Sequence, residues 1–271
     1  MKRIEIFFKA CAAVLCVALA CGLAGSCSVI EDRDGCPNWL TLDFSRCSGI
    51  ASEASDSLWW EGGQAAESFV LAESGYERTY VVRRGAVSVL AWMNAGSLGV
   101  SGGKSRIAQG HQSPELWVFS CDTLAEGEET RVVVRPHKRF CRLRVVFPSF
   151  DRGDSLFRAV VTSTSCGEYL GTGSAVKGDF SFSQVIGADG EFGLRLPVQG
   201  FGDLSLAVYG ADGSLECSYD LSAVLSERGY DWSAMDLADV TVSLILGGAD
   251  VSVTVGDWYD GGDVIPDSDR R

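Results

Sequence analysis

Short apolar alternations that turn back at glycine constrain this chain more than any other feature in it. Leu204, Leu206 and Val208 run into Gly210-Ala211-Asp212-Gly213 and return through Leu215, Cys217 and Tyr219. Val240, Val242, Leu244 and Leu246 turn at Gly247-Gly248-Ala249-Asp250 and return through Val251, Val253 and Val255. A period of two places alternate side chains on opposite faces of a strand, and Asp-Gly or Gly-Gly supplies the backbone freedom a tight reversal needs. Both stretches therefore read as hairpins.

The same period recurs along the chain. Leu40, Leu42 and Phe44 give a first strand from Trp39 to Phe44. Tyr80-Val81-Val82, Ala86 to Trp92, Leu116 to Ser120 and Arg131 to Arg135 follow. Cys141, Leu143, Val145 and Phe147 alternate with Arg142, Arg144 and Val146, Phe157 to Thr162 comes next, and Phe192, Leu194 and Leu196 precede Pro197. Residues 48–66, 94–105 and the Gly/Ser-rich stretch up to Gly178 read as loop, with Trp59-Trp60 packed somewhere inside the first. Only Ser222 to Gly229 reads as helix, with Ser222 as N-cap and Gly229 as stop. Many short strands with almost no helix predict an all-β protein. Pro136 interrupts a ladder and His137-Lys138-Arg139 resists burial, so the chain divides there into two tandem β-sandwich domains, 36–135 and 136–260. A single larger sandwich fits the same pattern.

The N-terminus has a different character. Lys2 and Arg3 precede an apolar run from Ile6 to Ala20, and small residues lead to Leu23-Ala24-Gly25-Ser26-Cys27. That is the layout of a secretory signal, and the run is shorter than the roughly 20 residues of a membrane span. A cysteine directly after the small residues is where lipoprotein processing cuts and acylates. Residues 1–26 are thus read as a cleaved lipoprotein signal peptide, Cys27 as the lipidated first residue, 27–35 as an acidic linker and 261–271 as a mobile acidic tail. Cys21, after Ala18-Leu19-Ala20, is the other candidate, and neither cysteine has a large aliphatic residue three positions upstream. Losing Lys2, Arg3, Lys9 and Glu5 with the signal moves the net charge from −13 to −15. So acidic a surface repels phosphate backbones, which argues against a nucleic-acid partner.

Ten cysteines suggest a disulfide framework until they are sorted by position. Cys11, Cys16 and Cys21 leave with the signal, and Cys27 carries lipid. Cys36, Cys47, Cys121, Cys141, Cys166 and Cys217 remain, and six cysteines allow fifteen pairings that sequence cannot choose among. Most are expected to be buried small hydrophobes, with one or two bridges. With no C-x-x-C pair and only His111 and His137 for imidazole, no zinc site is expected.

Chemistry-bearing motifs are weak. Gly99-Val100-Ser101-Gly102-Gly103 matches G-x-S-x-G, but a nucleophile elbow requires a strand before it and a helix after it, and no helix follows. Gly171-Thr172-Gly173 meets Val176 where a dinucleotide loop needs its third glycine. Asp257, Asp260, Asp263, Asp267 and Asp269 lack the spacing and terminal Glu of an EF-hand. No enzyme, no small-molecule substrate and no metal are expected. A glycan-binding surface lipoprotein or tip adhesin, stacking sugars on Trp59 and Trp60, is the alternative that the aromatics keep open.

The order of motifs resembles the anchor-subunit lipoproteins of Bacteroidales type V fimbriae. The motifs are the lipobox cysteine, Ile30-Glu31-Asp32 with Asp34-Gly35-Cys36-Pro37, and the Trp-Leu-Thr-Leu-Asp-Phe strand from Trp39. They continue with Ile107-Ala108-Gln109-Gly110-His111-Gln112 before Leu116-Trp117, and Lys138-Arg139-Phe140-Cys141-Arg142-Leu143. Phe192-Gly193-Leu194-Arg195-Leu196-Pro197-Val198-Gln199, Tyr230-Asp231-Trp232 and Val255-Gly256-Asp257-Trp258 complete the set. Val198 stands where the family pattern carries Arg. The resemblance covers about residues 27–260 and implies two transthyretin-like sandwiches on the outer face of the outer membrane. It also implies the base of a fimbrium, which tethers shaft subunits by strand exchange and limits the shaft's length. Diacylglycerol and an N-acyl chain on Cys27 would be its only attached groups. On that reading Trp39 to Phe44 stays in its own sheet, while Val251, Val253, Val255 and Trp258 engage the first shaft subunit.

Overall fold

A computed structural model describes residues 37–50, 57–62, 65–71, 75–96, 98–148, 157–245 and 251–255. The first strand, β1 (Pro37–Asp43), buries Leu40 and Leu42 completely and turns Trp39 out, as its alternation dictates. Each such leucine contributes about 1.5–3 kcal/mol of burial. A 3-10 turn (Ser45–Cys47) follows, then β2 (Ser57–Gly62), β3 (Ala65–Val70), β4 (Glu77–Arg83) and β5 (Gly85–Met93). Next come β6 (Gly99–Ser101), β7 (Lys104–Arg106), β8 (Trp117–Ala125), β9 (Glu129–Val133) and the two-residue β10 (His137–Lys138). The remainder is β11 (Phe140–Val146), β12 (Arg158–Tyr169), β13 (Ser174–Val185), β14 (Glu191–Pro197), β15 (Ser205–Tyr209), β16 (Leu215–Asp220), α1 (Leu221–Glu227), β17 (Val240–Leu244) and β18 (Val251–Val255).

These strands form an all-β molecule of two sandwiches. In the first, a sheet ordered β4-β1-β9 faces one ordered β10-β8-β5-β2-β3. Leu40, Leu42, Val82 and Val132 from one side meet Phe69, Val87, Val89 and Met93 from the other. In the second, β14-β11-β17-β18 faces β16-β15-β12-β7-β6, with β13 also on β12. Its core joins Leu143, Val145, Leu196 and Val242 to Val161, Phe180, Leu206 and Val208. Both hairpins expected from the alternations form, β15 with β16 and β17 with β18.

Three local expectations change. Residues 57–62 form a strand between β3 and β5, with Trp59 opposite Trp92. The Ser/Gly/acid composition that suggested loop belongs to the flanks, while the six strand residues contain two β-favouring aromatics. The Gly/Ser stretch after Ala95 holds the β6–β7 hairpin, closed at Gly102-Gly103. It belongs to the second sandwich, because Tyr169 on β12 pairs with Lys104. The helix is capped two residues earlier than expected: Asp220 accepts a bond from the Ala223 amide at 2.9 Å. Ser222 Oγ instead accepts from the Leu204 amide at 2.8 Å, and so ties the helix to the start of β15. Gly229 does end the helix, at φ +74°.

Residues 107–116 then strap the second sandwich before the chain returns to the first at β8. The Ile107 amide donates to Cys166 O, Gly110 to Ser181 O and Ser113 to Arg195 O. The strap thus bridges both sheets of that sandwich. Where β7 crosses β12 the backbones nearly touch, and a Cβ on Gly167 would lie 2.1 Å from Ser105 O. Gly167→Ala must therefore push β7 off β12, at a cost of about 1–3 kcal/mol. Gly171→Ala, where a Cβ would meet nothing within 4 Å, is the control. Urea unfolding should show the loss in the first variant and little change in the second.

Candidate functional site

Two regions stand out from the sandwiches themselves: the seam between them and the strand edge at the C-terminal end. The seam is built on residues 136–139, which charge alone places in solvent. The structure buries Arg139 instead and half-buries Pro136, His137 and Lys138. Arg139 is only 7% exposed and spends its whole guanidinium on protein acceptors. Its Nε donates to Glu168 Oε2 at 3.0 Å, Nη1 to the carbonyls of Ala234 and Met235, and Nη2 to Gly173 O at 2.8 Å. Lys138 Nζ reaches the buried Asp239 at 2.5 Å, which also accepts from the Arg142 amide. Asp236 takes the Lys138 amide and contacts His137 Nδ1 at 3.0 Å. Cations can be buried here because each meets a carboxylate, and Arg139 three carbonyls as well.

Gly173 is a requirement of that arrangement. It sits at φ +68°, and a Cβ there would lie 2.7 Å from Arg139 Nη2. Beside the charges lies an apolar patch of Trp92, Leu116, Val118 and Leu170, drawn from both sandwiches. A cleft of about 600 Å³ opens over the seam, lined in part by Ser120, Arg139, Gln199 and Trp232. Several of its polar groups are already committed: Ser120 Oγ donates to Gly171 O, and Gln199 bonds Ser163 and Pro197 O.

The second region is the β17–β18 hairpin. β18 pairs antiparallel with β17 from Leu244↔Val251 to Val240↔Val255 and forms the margin of its sheet. Among the described residues no strand pairs with its outer side. Val253 packs partly on the core, Ser252 and Thr254 face solvent, and Val255 is 42% exposed. Tyr219 Oη donates to Ile245 O at 2.7 Å and pins the end of β17. A free edge of this kind offers a row of N–H and C=O groups to another strand.

The other sequence-predicted positions scatter. Cys27, Cys21, Cys36, Trp258 and the aspartates from 257 onward lie outside the described residues. Trp59 and Trp60 fall on β2, where the backbone alone is described. Ser101 is exposed on β6 opposite Lys104, in a hairpin rather than a strand-to-helix elbow. Cys47, Cys141 and Cys166 are buried thiols, and Cys121 and Cys217 are half-buried thiols; all five are free. Burial pushes the Cys47 and Cys141 thiols up to about 12, which keeps them protonated and inert. Among the described residues no three His, Cys, Asp or Glu side chains gather to hold a metal.

Sequence reasoning missed Glu168 altogether. It lies in a Gly/Ser-rich stretch, 29 residues from the arginine it pairs with. Burial pushes its carboxyl up from 4.5 to about 7, against the pull of Arg139, and Oε1 has no hydrogen-bond partner. Between those values the folded chain holds a proton that the unfolded chain releases. This contribution to stability is complete below about 4.5 and is lost as pH rises through 7. Urea midpoints on either side of that window should therefore differ more in the parent than in Glu168→Gln.

No protein-family model matches the sequence, and no curated protein matches it. Solved structures do match its fold. The fimbrial anchor protein Mfa2 of Porphyromonas gingivalis superposes with TM-score 0.58 at 13% identity, covering 82% of this chain and 98% of that one. A proposed polysaccharide-binding protein of Bacteroides thetaiotaomicron gives 0.57 at 13%, over 82% and 96%. A proposed adhesin of Bacteroides ovatus gives 0.55 at 12%, over 82% and 94%. The chain has the two-sandwich fold of these fimbrial-anchor and adhesin structures.

Proposed function

We propose that this chain is the anchor subunit of a fimbrium, lipidated at Cys27, held on the outer membrane and exposed at the cell surface. It tethers the shaft by β-strand exchange and, being fixed in the membrane, limits the shaft's length. The observation that carries the reading is the fold match to an anchor protein along 98% of that protein's length. The edge of β18, without a partner strand among the described residues, and the lipobox toward the other end of the chain fit the same role.

The physics suits a permanent base. Main-chain ladder bonds with alternate side chains in pockets give strand exchange a slow dissociation. Val251, Val253 and Val255 supply the alternation, and Trp258 lies three residues beyond. At the other end, a single acyl chain binds membranes only marginally, so durable anchoring requires the diacylglycerol and N-acyl chains together. The partners are shaft pilins and the outer membrane, and no catalytic step is involved.

Deleting residues 250–271 should release assembled fimbriae into the medium, measured by immunoblot of cell and supernatant fractions. Fimbriae still held at the cell would refute the assignment of that strand. Cys27→Ala should lose acylation and surface retention, and membrane-bound protein at the parental level would contradict the lipid anchor.

A further inference from the structure

We propose that the end of the first sandwich where the chain enters at Pro37 rests on the lipid surface itself, inserting Trp39 and Val81. The inference builds on acylation at Cys27 and adds a second contact to it. The outer face of the β1–β4 pair is graded along its length. Its register rows begin at Pro37↔Arg83, continue through Trp39↔Val81 and Thr41↔Thr79, and finish at Asp43↔Glu77. The two threonines bond each other at 2.9 Å. At the far end Arg131 bridges Asp43 at 2.7 Å and Glu77 at 2.5 Å, and Asp43 is held down to about 2. On β1 and β4 apolar surface therefore lies toward Pro37 and the charged network lies away from it, while on β9 Glu129 stands beside Trp39 and Val133 beside Asp43.

The apolar residues are large and open. Trp39 is 50% exposed and its register partner Val81 54%, although both stand on a regular sheet. Leu124, also 54% exposed, stands near the same end on the outer face of the other sheet. The β8–β9 turn fixes it there: the Trp39 amide donates to Glu128 O at 2.8 Å, and Asn38 Nδ2 to Glu126 O at 3.2 Å. Single exposed hydrophobics are ordinary on any surface. Trp39 and Val81 stand side by side at the end that receives the tether.

Chain length supplies the occupant. Nine residues lie between Cys27 and Pro37, so over those ten Cα-to-Cα steps this end cannot stand more than about 35 Å from the acylated residue. Tryptophan favours the headgroup boundary, where its ring is apolar and its N–H stays wet. Arg83 and Arg84 flank the patch, but Glu126, Glu128 and Glu129 flank it too. The contact is therefore apolar rather than electrostatic, and neither salt nor anionic lipid should govern it.

The test uses the full protein purified from the outer membrane and reconstituted into phosphatidylcholine vesicles with brominated acyl chains. Intact mass reports acylation at Cys27, and bromine quenching reports tryptophan depth. Trp39→Phe should remove a bromine-quenched component of the emission, Val81→Ser should weaken it, and added salt should leave it unchanged. Acylated protein whose quenching is the same with and without Trp39 overturns the docking alone. Protein without acyl mass overturns the anchor reading, and the docking with it.

Discussion

The buried pair of Arg139 and Glu168 fixes the chain where it passes from β10 of the first sandwich into β11 of the second. One guanidinium gathers a carboxylate from β12, a carbonyl from the β12–β13 turn and two carbonyls from the segment before β17. Its own amide donates to Leu116 O, where the strap over the second sandwich ends and the chain returns to the first. In a low-dielectric seam these bonds are strong, and losing any partner leaves a group that water cannot reach. Gly173 and Gly167 are small because backbone or guanidinium occupies the space a side chain would need. On the anchor reading, tension between a lipidated N-terminus and a strand-bound C-terminus passes through this seam. A hydrogen-bonded joint backed by Trp92, Leu116, Val118 and Leu170 suits that load.

The chain path reinforces the joint. A simple two-bead chain would cross between sandwiches once, at 136. Here residues 99–116 cross first, adding the β6–β7 hairpin and the strap to the second sandwich before β8 completes the first. Neither body can leave without tearing β7 from β12 or the strap from β14.

Much of the architecture was legible in the sequence, for a physical reason. Strands buried on one face and wet on the other must alternate, so Leu40-Leu42, Cys141 to Phe147 and the two C-terminal hairpins announced themselves. What failed to show was structure made by distant partners. β2 pairs with β3 and β5, yet its neighbours in sequence are glycine, serine and acids. The β6–β7 hairpin is three residues a side, too short for any period to register. Arg139 looked like a surface charge because Glu168, Gly173 and Ala234 are invisible to a local reading. Asp220 displaced Ser222 as cap because the Ser222 hydroxyl is drawn to Leu204. The functional reading divides the same way: the lipobox is a local pattern, whereas an open strand edge exists only once the sheet is built.

The most direct test of the central claim is photocrosslinking from β18 on intact cells. A photoreactive residue at Thr254, which faces solvent beside the free edge, would be activated and the adduct identified by mass spectrometry. The anchor account predicts an adduct with a processed, polymer-forming pilin. Adducts confined to the protein itself, or to sugar-uptake components, would contradict it and leave the fimbrial likeness as a shared fold only.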